Sequence, residues 1–331
     1  MHVLLTGAFG TLGVATIEEL LRQGHRVRCF DIPNTANTKT AKKFGSSVEV
    51  VWGDITDADA VNQAVKDCEA VIHNAAVIPP GTEIHPERVE KINVEGTRNL
   101  IRALEKEPGD RPFVYPSSIS VFGTKVAKGS LATADSPVSG TDRYTDQKLI
   151  CELMLRESNV SWVIMRVGVV LSGNASNFDP LIFRLLFEIS PDNPLETIHT
   201  QDAALAQVNA IAAPDSWRKV LLIGGGDGNQ ITQGRMLGSL FEVLAIDIPA
   251  KAIGKLPYYT CWMDTTESQA LLKYQRHSYD EIHEEIMARV RPFRWVLKML
   301  SPITRRMLLR LSGPWHGDPP RGTWIEFEEY F

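Results

Sequence analysis

His2-Val3-Leu4-Leu5-Thr6-Gly7-Ala8-Phe9-Gly10-Thr11-Leu12-Gly13 is the stretch whose reading decides the fold. A short apolar run ends in three glycines spaced three apart. Val14, Ile17, Leu20 and Leu21 then recur at helical spacing, and Gly24 stands where a left-handed residue would close that helix. Strand, glycine turn and helix start are the parts of a dinucleotide-binding βαβ unit. In such a unit Gly7 permits the tight turn, Gly10 lets backbone approach a pyrophosphate, and Gly13 lets helix pack closely on strand. The first N–H groups of the helix, with its dipole, then face the phosphates. A glycine turn that merely joins strand to helix has the same residues, so the rest of the chain must decide.

The 331 residues suit a doubly wound α/β domain with a smaller appended lobe. The apolar share of 44% and charged share of 23% are those of an ordinary globular enzyme. A net charge of −5 gives no nucleic-acid footprint for the whole protein. Cys29, Cys68, Cys151 and Cys261 are scattered, without C-x-x-C spacing, which fits a reducing compartment. The first residues show no signal-peptide pattern and no apolar run is long enough for a bilayer, so a cytoplasmic enzyme is the expectation.

Strands and helices alternate onward. Arg26-Val27-Arg28-Cys29-Phe30 reads as the second strand and ends at Asp31, about 20 residues past the glycines, where an acid takes ribose hydroxyls. Such an acid repels a 2′-phosphate and favours NAD over NADP. Asp31 as a plain turn or capping residue is the alternative, and nearby Arg28 and Lys39 keep NADP open. Val48-Glu49-Val50-Val51-Trp52 and Ala70-Val71-Ile72-His73 read as strands three and four, with Asp54 or Thr56 able to cap the helix between them. A helix over residues 87–107 puts Val89, Ile92, Leu100, Ile101 and Leu104 at core spacing. Further strands are Pro112-Phe113-Val114-Tyr115, Trp162-Val163-Ile164-Met165-Arg166-Val167 and Val220-Leu221-Leu222-Ile223. This alternation predicts a Rossmann-type parallel sheet with helices on both faces.

Two segments offer reactive groups. Ser117-Ser118-Ile119-Ser120-Val121-Phe122-Gly123 lies just beyond the fifth strand, at the sheet's carboxyl end, where ligands bind. In Tyr144-Thr145-Asp146-Gln147-Lys148 the spacing i, i+4 puts Tyr144 and Lys148 on one helix face. A phenol has a pKa near 10. A neighbouring ammonium, with a positive nicotinamide, would lower it and make Tyr144 a general base toward a hydroxyl. Lys148 would also hold a ribose. A half-buried tyrosine and a solvated lysine would share this spacing by chance.

Together these pieces resemble the extended short-chain dehydrogenase/reductases, the NAD-dependent epimerase/dehydratase family. The carriers are the G-x-x-G-x-x-G turn after Thr6, the serine segment and Y-x-x-x-K, with good correspondence over about residues 1–230. The resemblance implies a Ser118–Tyr144–Lys148 triad, Ser117 being the runner-up, because Val121-Phe122-Gly123 aligns with the family's Val-Tyr-Gly. It implies cofactor contacts at Gly7, Phe9, Gly10, Thr11, Leu12, Gly13, Asp31, Asp54, Ile55, Asn74, Ala75, Ala76, Tyr144 and Lys148, with Asp54 at the adenine and Asn74-Ala75-Ala76 as a small-residue turn beneath the dinucleotide. Asn93 resembles a family asparagine and reads as structural. Family members that eliminate water carry Thr-Asp-Glu where this chain has Ser118-Ile119-Ser120, which argues against dehydration. Arg166-Val167-Gly168-Val169-Val170 lacks the asparagine that nucleotide-sugar enzymes often place there, which argues against a sugar nucleotide. An Asp near His199, matching Asp202, is expected to cap a helix, and His199 to be packing. No clustered ligand set suggests a metal.

The expected division is a dinucleotide core over residues 1–168, with 196–226 returning to it, and a substrate lobe from 169–195 and 227–331. The expected activity is NAD-dependent transfer of hydride to or from a secondary alcohol or ketone carbon, on a small-molecule substrate and in a possible homodimer. An NAD-retaining sugar epimerase is the alternative, and a non-catalytic NAD-sensing protein is the rival of another class. Residues 289–315 stand apart: seven Lys and Arg, no acid, and interleaved apolar residues. Pro302 is expected to split them into two short amphipathic helices. Folding back on the protein's own lobe is the plain expectation; an anionic membrane surface or a partner subunit is the alternative.

Overall fold

The computed structural model describes residues 1–79, 81–83, 85–127, 129–172 and 180–317. Parts of the expected substrate lobe, residues 173–179 and 318–331, lie outside the described residues. The strands are β1 (His2–Thr6), β2 (Arg26–Asp31), β3 (Glu49–Trp52), β4 (Ala70–His73), β5 (Pro112–Ser118), β6 (Leu131–Ala132), β7 (Ser161–Val167), β8 (Val169–Leu171), β9 (Pro194–His199), β10 (Lys219–Ile223), β11 (Gln230–Thr232) and β12 (Trp262–Met263). Helices α1 (Thr11–Arg22), α2 (Thr35–Ala41), α3 (Ala58–Val65), α4 (Pro86–Glu90), α5 (Gly96–Leu104) and α6 (Arg143–Glu157) alternate with the first strands. The later ones are α7 (Pro180–Glu188), α8 (Thr200–Ile211), α9 (Gln233–Leu244), α10 (Thr266–Leu272), α11 (Tyr279–Val290), α12 (Arg294–Leu311) and α13 (Gly313–His316).

Seven strands form one parallel sheet in the order β10-β7-β5-β4-β1-β2-β3. Because successive strand residues point to opposite faces, β1 serves two cores. Val3 and Leu5 pack with Ile17 and Leu20 of α1 and Val208 of α8 on one face. Leu4 packs with Val61 of α3, Leu100 of α5 and Leu155 of α6 on the other. Truncating such a buried leucine to alanine costs about 2–5 kcal/mol. The chain order reverses direction at β1, between β2 and β4, and opens a crevice at the carboxyl ends of β1 and β4. A small sheet, β11-β9-β8, and the pair β12-β6 lie outside the main sheet.

The structure departs from the sequence reading in several places. The helix expected over residues 87–107 is interrupted by a π-helical turn at Lys91–Glu95. There the Asn93 carbonyl accepts from Thr97 Oγ1 at 2.6 Å and Cys151 Sγ at 3.4 Å, side-chain donors that compete with the regular ladder. Asp57, not Asp54 or Thr56, caps α3, accepting from the N–H groups of Asp59 and Ala60. His199 Nδ1, not Asp202, caps α8 by accepting from the Gln201 N–H. Asp202 instead accepts from the N–H groups of Arg276 and His277 and binds both side chains. Pro302 does not split the basic segment: α12 runs through it for 18 residues. Proline removes one hydrogen bond, that of the Lys298 carbonyl, and Pro302 is exposed, so water can satisfy the group.

Candidate active site

Ser118 is the last residue of β5, not a residue beyond it, and it heads the 3-10 turn Ile119–Phe122. Its Oγ accepts from the Ser120 N–H at 3.2 Å, lies 2.7 Å from Ser120 Oγ and stands near enough to the Tyr144 hydroxyl to lower its pKa. Tyr144 sits in the first turn of α6, and a capping box fixes that turn. Asp142 Oδ1 accepts from the Thr145 N–H at 2.7 Å, and Thr145 Oγ1 accepts from the Asp142 N–H at 3.1 Å. One helical turn later Lys148 reaches back to β5. Its Nζ donates to the Pro116 carbonyl at 2.6 Å and lies 5.7 Å from the centre of the Tyr144 ring. An ammonium has three donors, so two remain for a ligand.

The electrostatics differ from the expectation for Tyr144. Burial pushes its phenol up to about 12, against a lowering contribution from the Ser118 hydroxyl. Burial likewise pushes Lys148 down to about 8. Desolvation, with the Asp142 carboxylate adding to it, thus outweighs the Ser118 contribution at the phenol.

The two serines have separate surroundings. Ser117 Oγ donates to Glu152 Oε1 at 2.6 Å, inside a buried pair in which Arg166 Nη2 meets Glu152 Oε2 at 2.9 Å. Ser117 therefore belongs to an internal network, and Ser118 is the one of the two whose side chain acts on the Tyr144 phenol.

The crevice at β1 and β4 fits a dinucleotide. Gly7 has φ +62, and a Cβ there would lie 2.6 Å from the Ala75 nitrogen. A Cβ on Gly13 would lie 2.2 Å from the Gly7 carbonyl oxygen. At Gly10 a Cβ would meet only that same oxygen, at 3.5 Å, so this side of the turn is open to an approaching group. No side chain caps α1 and its first turn holds no acid, which leaves its N–H groups directed at the opening. Asp31 Oδ2 accepts from the Phe9 N–H at 3.0 Å, while Oδ1 takes the Ile32 N–H and Asn37 Nδ2. Burial raises the Asp31 pKa against these two backbone donors.

The other expected cofactor residues divide by environment. Thr11 is exposed at the start of α1, and Leu12 leans on the core beneath it. Asp54 is exposed and accepts from Thr56 N–H and Oγ1. The Ile55 side chain is core, packed over Gly96. Ala75 and Ala76 are open to the crevice side, but the Asn74 amide exchanges hydrogen bonds with Gln207 of α8 at 3.1 and 2.8 Å. Arg28 is bound to the Ala64 and Lys66 carbonyls and to Glu49. It is thereby turned from the role of a 2′-phosphate partner.

Of two supports of the site, Asn93 reads as structural in the sequence and His73 does not. His73, at the end of β4, lies between Thr6 Oγ1 at 2.7 Å and Thr97 Oγ1 at 3.0 Å, and burial holds it neutral by lowering its pKa to about 3. Thr6 Oγ1 in turn accepts from the Ala75 N–H, so this chain of bonds braces the crevice floor. Asn93 joins the Val77 backbone to Gln147 on α6. The signal for His73 was its place at a strand's carboxyl end; the strand pattern absorbed it.

Known proteins match this arrangement. Residues 4–171, just over half the chain, match the model of the 3-beta hydroxysteroid dehydrogenase/isomerase family. A 3 beta-hydroxysteroid dehydrogenase/Delta 5→4-isomerase of Mycobacterium tuberculosis is 33% identical over 196 residues, covering 56% of this chain and 50% of that protein. The chain spans about half the length of the curated relatives it matches at this level. A UDP-glucose 4-epimerase of Bacillus subtilis is 25% identical over 321 residues, covering 83% of this chain and 92% of that protein. Among solved structures, an NAD-bound short-chain dehydrogenase/reductase superfamily protein of Agrobacterium tumefaciens superimposes with a TM-score of 0.72 at 19% identity, over 90% of this chain and 99% of that one. A UDP-glucuronic acid 4-epimerase of Bacillus cereus, solved with UDP-glucuronic acid and NAD, gives 0.71 at 20%, over 88% and 100%. The matched span runs from β1 to β8 and contains the glycine turn, β5 and α6; by that match the chain belongs to the 3-beta hydroxysteroid dehydrogenase/isomerase family, within the extended short-chain dehydrogenase/reductases.

Proposed function

We propose that the protein is an NAD-dependent oxidoreductase acting between a secondary alcohol and its ketone. The observation that carries this reading is the meeting of Ser118, Tyr144 and Lys148 at the carboxyl end of β5. NAD, when bound, supplies the hydride-accepting carbon and a positive ring charge. Tyr144 takes the proton of the substrate hydroxyl in oxidation and returns it in reduction. Ser118 holds the reacting oxygen. Lys148 offers its two remaining donors to the ribose and stabilises the phenolate through its charge. Asp31 receives the adenosine ribose hydroxyls, with the glycine turn and α1 at the pyrophosphate.

The substrate we infer is a lipophilic secondary alcohol of the hydroxysteroid kind. Relatives carry that activity in their names. A cleft of about 280 Å³ beside Gly123 suits it, with Val126, Pro194, Pro257 and Tyr258 in its wall. Ile119 and Ser120 offer no acid for elimination of water. The second reading, an epimerase that retains NAD, is favoured by the alignment with nearly the whole of the Bacillus subtilis epimerase.

Mass spectrometry of small molecules released from the purified protein, followed by turnover assays with NAD and a panel of hydroxysteroids and other secondary alcohols, tests this. Release of NADH with a secondary alcohol supports the main reading. Retained NAD and interconversion of sugar epimers without net oxidation would replace it with the second. Failure to bind NAD at all would remove both.

A further inference from the structure

Helix α12 is anchored on one face only. Leu308 and Leu309 are buried against Phe183 and Phe187 of α7 and against Ile248 and Ala252, and Leu311 and Trp315 pack on the same cluster. Ser312 Oγ donates to the Ala252 carbonyl at 2.6 Å. The opposite face is uncovered, apolar toward its N-terminal end and joined by Arg306 and Arg310 toward its C-terminal end. Trp295, Met299, Ile303 and Met307 recur every fourth residue, so they share a face. They are 68%, 64%, 68% and 46% exposed, and Phe293, just before the helix, is 64% exposed. Fold-back therefore accounts for the C-terminal end of the segment and leaves its longest apolar face in water.

Charge narrows what covers that face. Residues 289–317 carry Arg289, Arg291, Arg294, Lys298, Arg305, Arg306 and Arg310 and no acid. With those seven set aside, the remaining chain has 28 basic and 40 acidic residues, a formal charge of −12. Arg289 and Arg291 pair with Glu285 and Glu284. Among the described residues no acidic side chain pairs with Arg294, Lys298, Arg305, Arg306 or Arg310. Two copies meeting through this face would set arginines against arginines. An anionic surface would satisfy both features at once. A cleft of about 420 Å³ adds a place for a phosphate-bearing headgroup, since Arg305, Arg306, Arg310 and His316 line it around Trp315. No helix among the described residues is long and apolar enough to cross a membrane. A basic amphipathic helix with Trp and long aliphatic side chains is the kind that lies in the interface plane.

We propose that α12 docks the protein on an anionic phospholipid bilayer, with Trp295, Met299, Ile303 and Met307 inserted among the acyl chains and Arg306 and Arg310 at the headgroups. This goes beyond the hydride-transfer reading and does not rest on it. The placement has a consequence for access. Phe187 and Glu188, at the end of α7, accept from the Gly254 and Leu256 N–H groups, and Ser190 and Lys255 line the cleft beside Gly123. The docked helix and the cleft are thus separated by one packed layer.

Flotation of the full-length protein with vesicles tests the proposal, using phosphatidylcholine alone and phosphatidylcholine with an equal part of phosphatidylglycerol, at low and at physiological salt. The acidic residues Asp318, Glu326, Glu328 and Glu329 are then present to compete. The protein should float with the anionic vesicles, and less at higher salt. Arg306→Gln with Arg310→Gln should weaken partitioning about 30-fold, each basic residue near such a surface contributing roughly a factor of five. Trp295→Ser with Ile303→Ser should abolish it, while NAD affinity and the unfolding midpoint stay unchanged in both pairs. Hydrogen exchange of the unmodified protein gives a reading free of any folding defect: anionic vesicles should protect α12 amides. Absence of flotation, flotation indifferent to lipid charge, or protection confined elsewhere would overturn the proposal. So would a stable dimer in solution that the Trp295 and Ile303 changes dissociate.

Discussion

The Phe9 backbone N–H donates to the Asp31 carboxylate at 3.0 Å, which ties the glycine turn to the end of β2. The same carboxylate would face the 2′ position of an adenosine ribose. A phosphate there meets a partly buried negative charge, and Arg28 is committed to Ala64, Lys66 and Glu49. NAD should therefore bind at least about tenfold more tightly than NADP, a difference of about 1.4 kcal/mol. Calorimetric titration with both cofactors measures it. Equal or tighter NADP binding would assign control of the site to other residues, Lys39 first among them.

Ser117 and Ser118, adjacent in sequence, should respond oppositely to alanine substitution. Ser118→Ala removes the partner of the Tyr144 hydroxyl and should lower turnover by about 10²-fold or more, since one well-placed hydrogen bond in a transition state is worth a few kcal/mol. Stability should hold. Ser117→Ala leaves Glu152 short of a donor and should cost about 1–3 kcal/mol of stability, with turnover at permissive temperature retained. Parallel urea titrations and turnover assays separate the two; a reversed pattern would exchange their roles.

The buried Glu152–Arg166 pair predicts a fold effect beside the site, since Glu152 also acts on the Lys148 ammonium. Both side chains are 3% exposed. Arg166→Met leaves the Glu152 carboxylate with only the Ser117 hydroxyl and the longer contact to Arg156 Nη2 at 3.6 Å and should destabilise by up to about 3 kcal/mol, whereas Arg166→Met with Glu152→Met should recover most of the loss. Urea unfolding of the three proteins checks this. A single variant as stable as the parent would mean that water reaches the site.

Lys148 predicts a pH dependence. Its folded-state value lies near 8, below the usual lysine value of about 10.5, so the folded protein binds fewer protons than the unfolded chain between the two. Stability contributed through this group therefore rises as pH climbs from about 8 toward 10.5 and is lower beneath that window. Cofactor binding should run the other way, because the ammonium donates to the ribose. NAD affinity should fall as pH passes above about 8, with proton uptake on binding, and Lys148→Met should bind weakly without that dependence. Calorimetry in buffers of different ionisation enthalpy reads the proton directly. Affinity flat through the window would separate Lys148 from the cofactor.

What was legible in the sequence was local. The glycine turn, the strand–helix alternation and the Tyr144–Lys148 spacing each lie within a few residues, so period and turn chemistry suffice to place them. The alignment of Val121-Phe122-Gly123 favours Ser118 over Ser117, but the partner that takes up Ser117, Glu152, lies 35 positions away and no local pattern reports it. The π-helical turn at Asn93 depends on donors from Thr97 and Cys151, and helical periodicity cannot report the second. The rise in the Tyr144 pKa is a desolvation effect that no spacing carries. Pro302 stands inside α12 because Leu308 and Leu309 hold the helix by packing, which helix propensity does not report.

The central claim is that Tyr144 moves the proton. Steady-state turnover of Tyr144→Phe with NAD and an accepted secondary alcohol, alongside calorimetric NAD binding to the same protein, tests it most directly. The substitution removes one oxygen and leaves the ring, the Lys148 contact to Pro116 and the glycine turn in place. Turnover should fall by about 10²–10⁴-fold, the usual worth of a positioned general acid–base, while NAD affinity changes by less than about tenfold. A variant that keeps the parent's turnover would contradict the account.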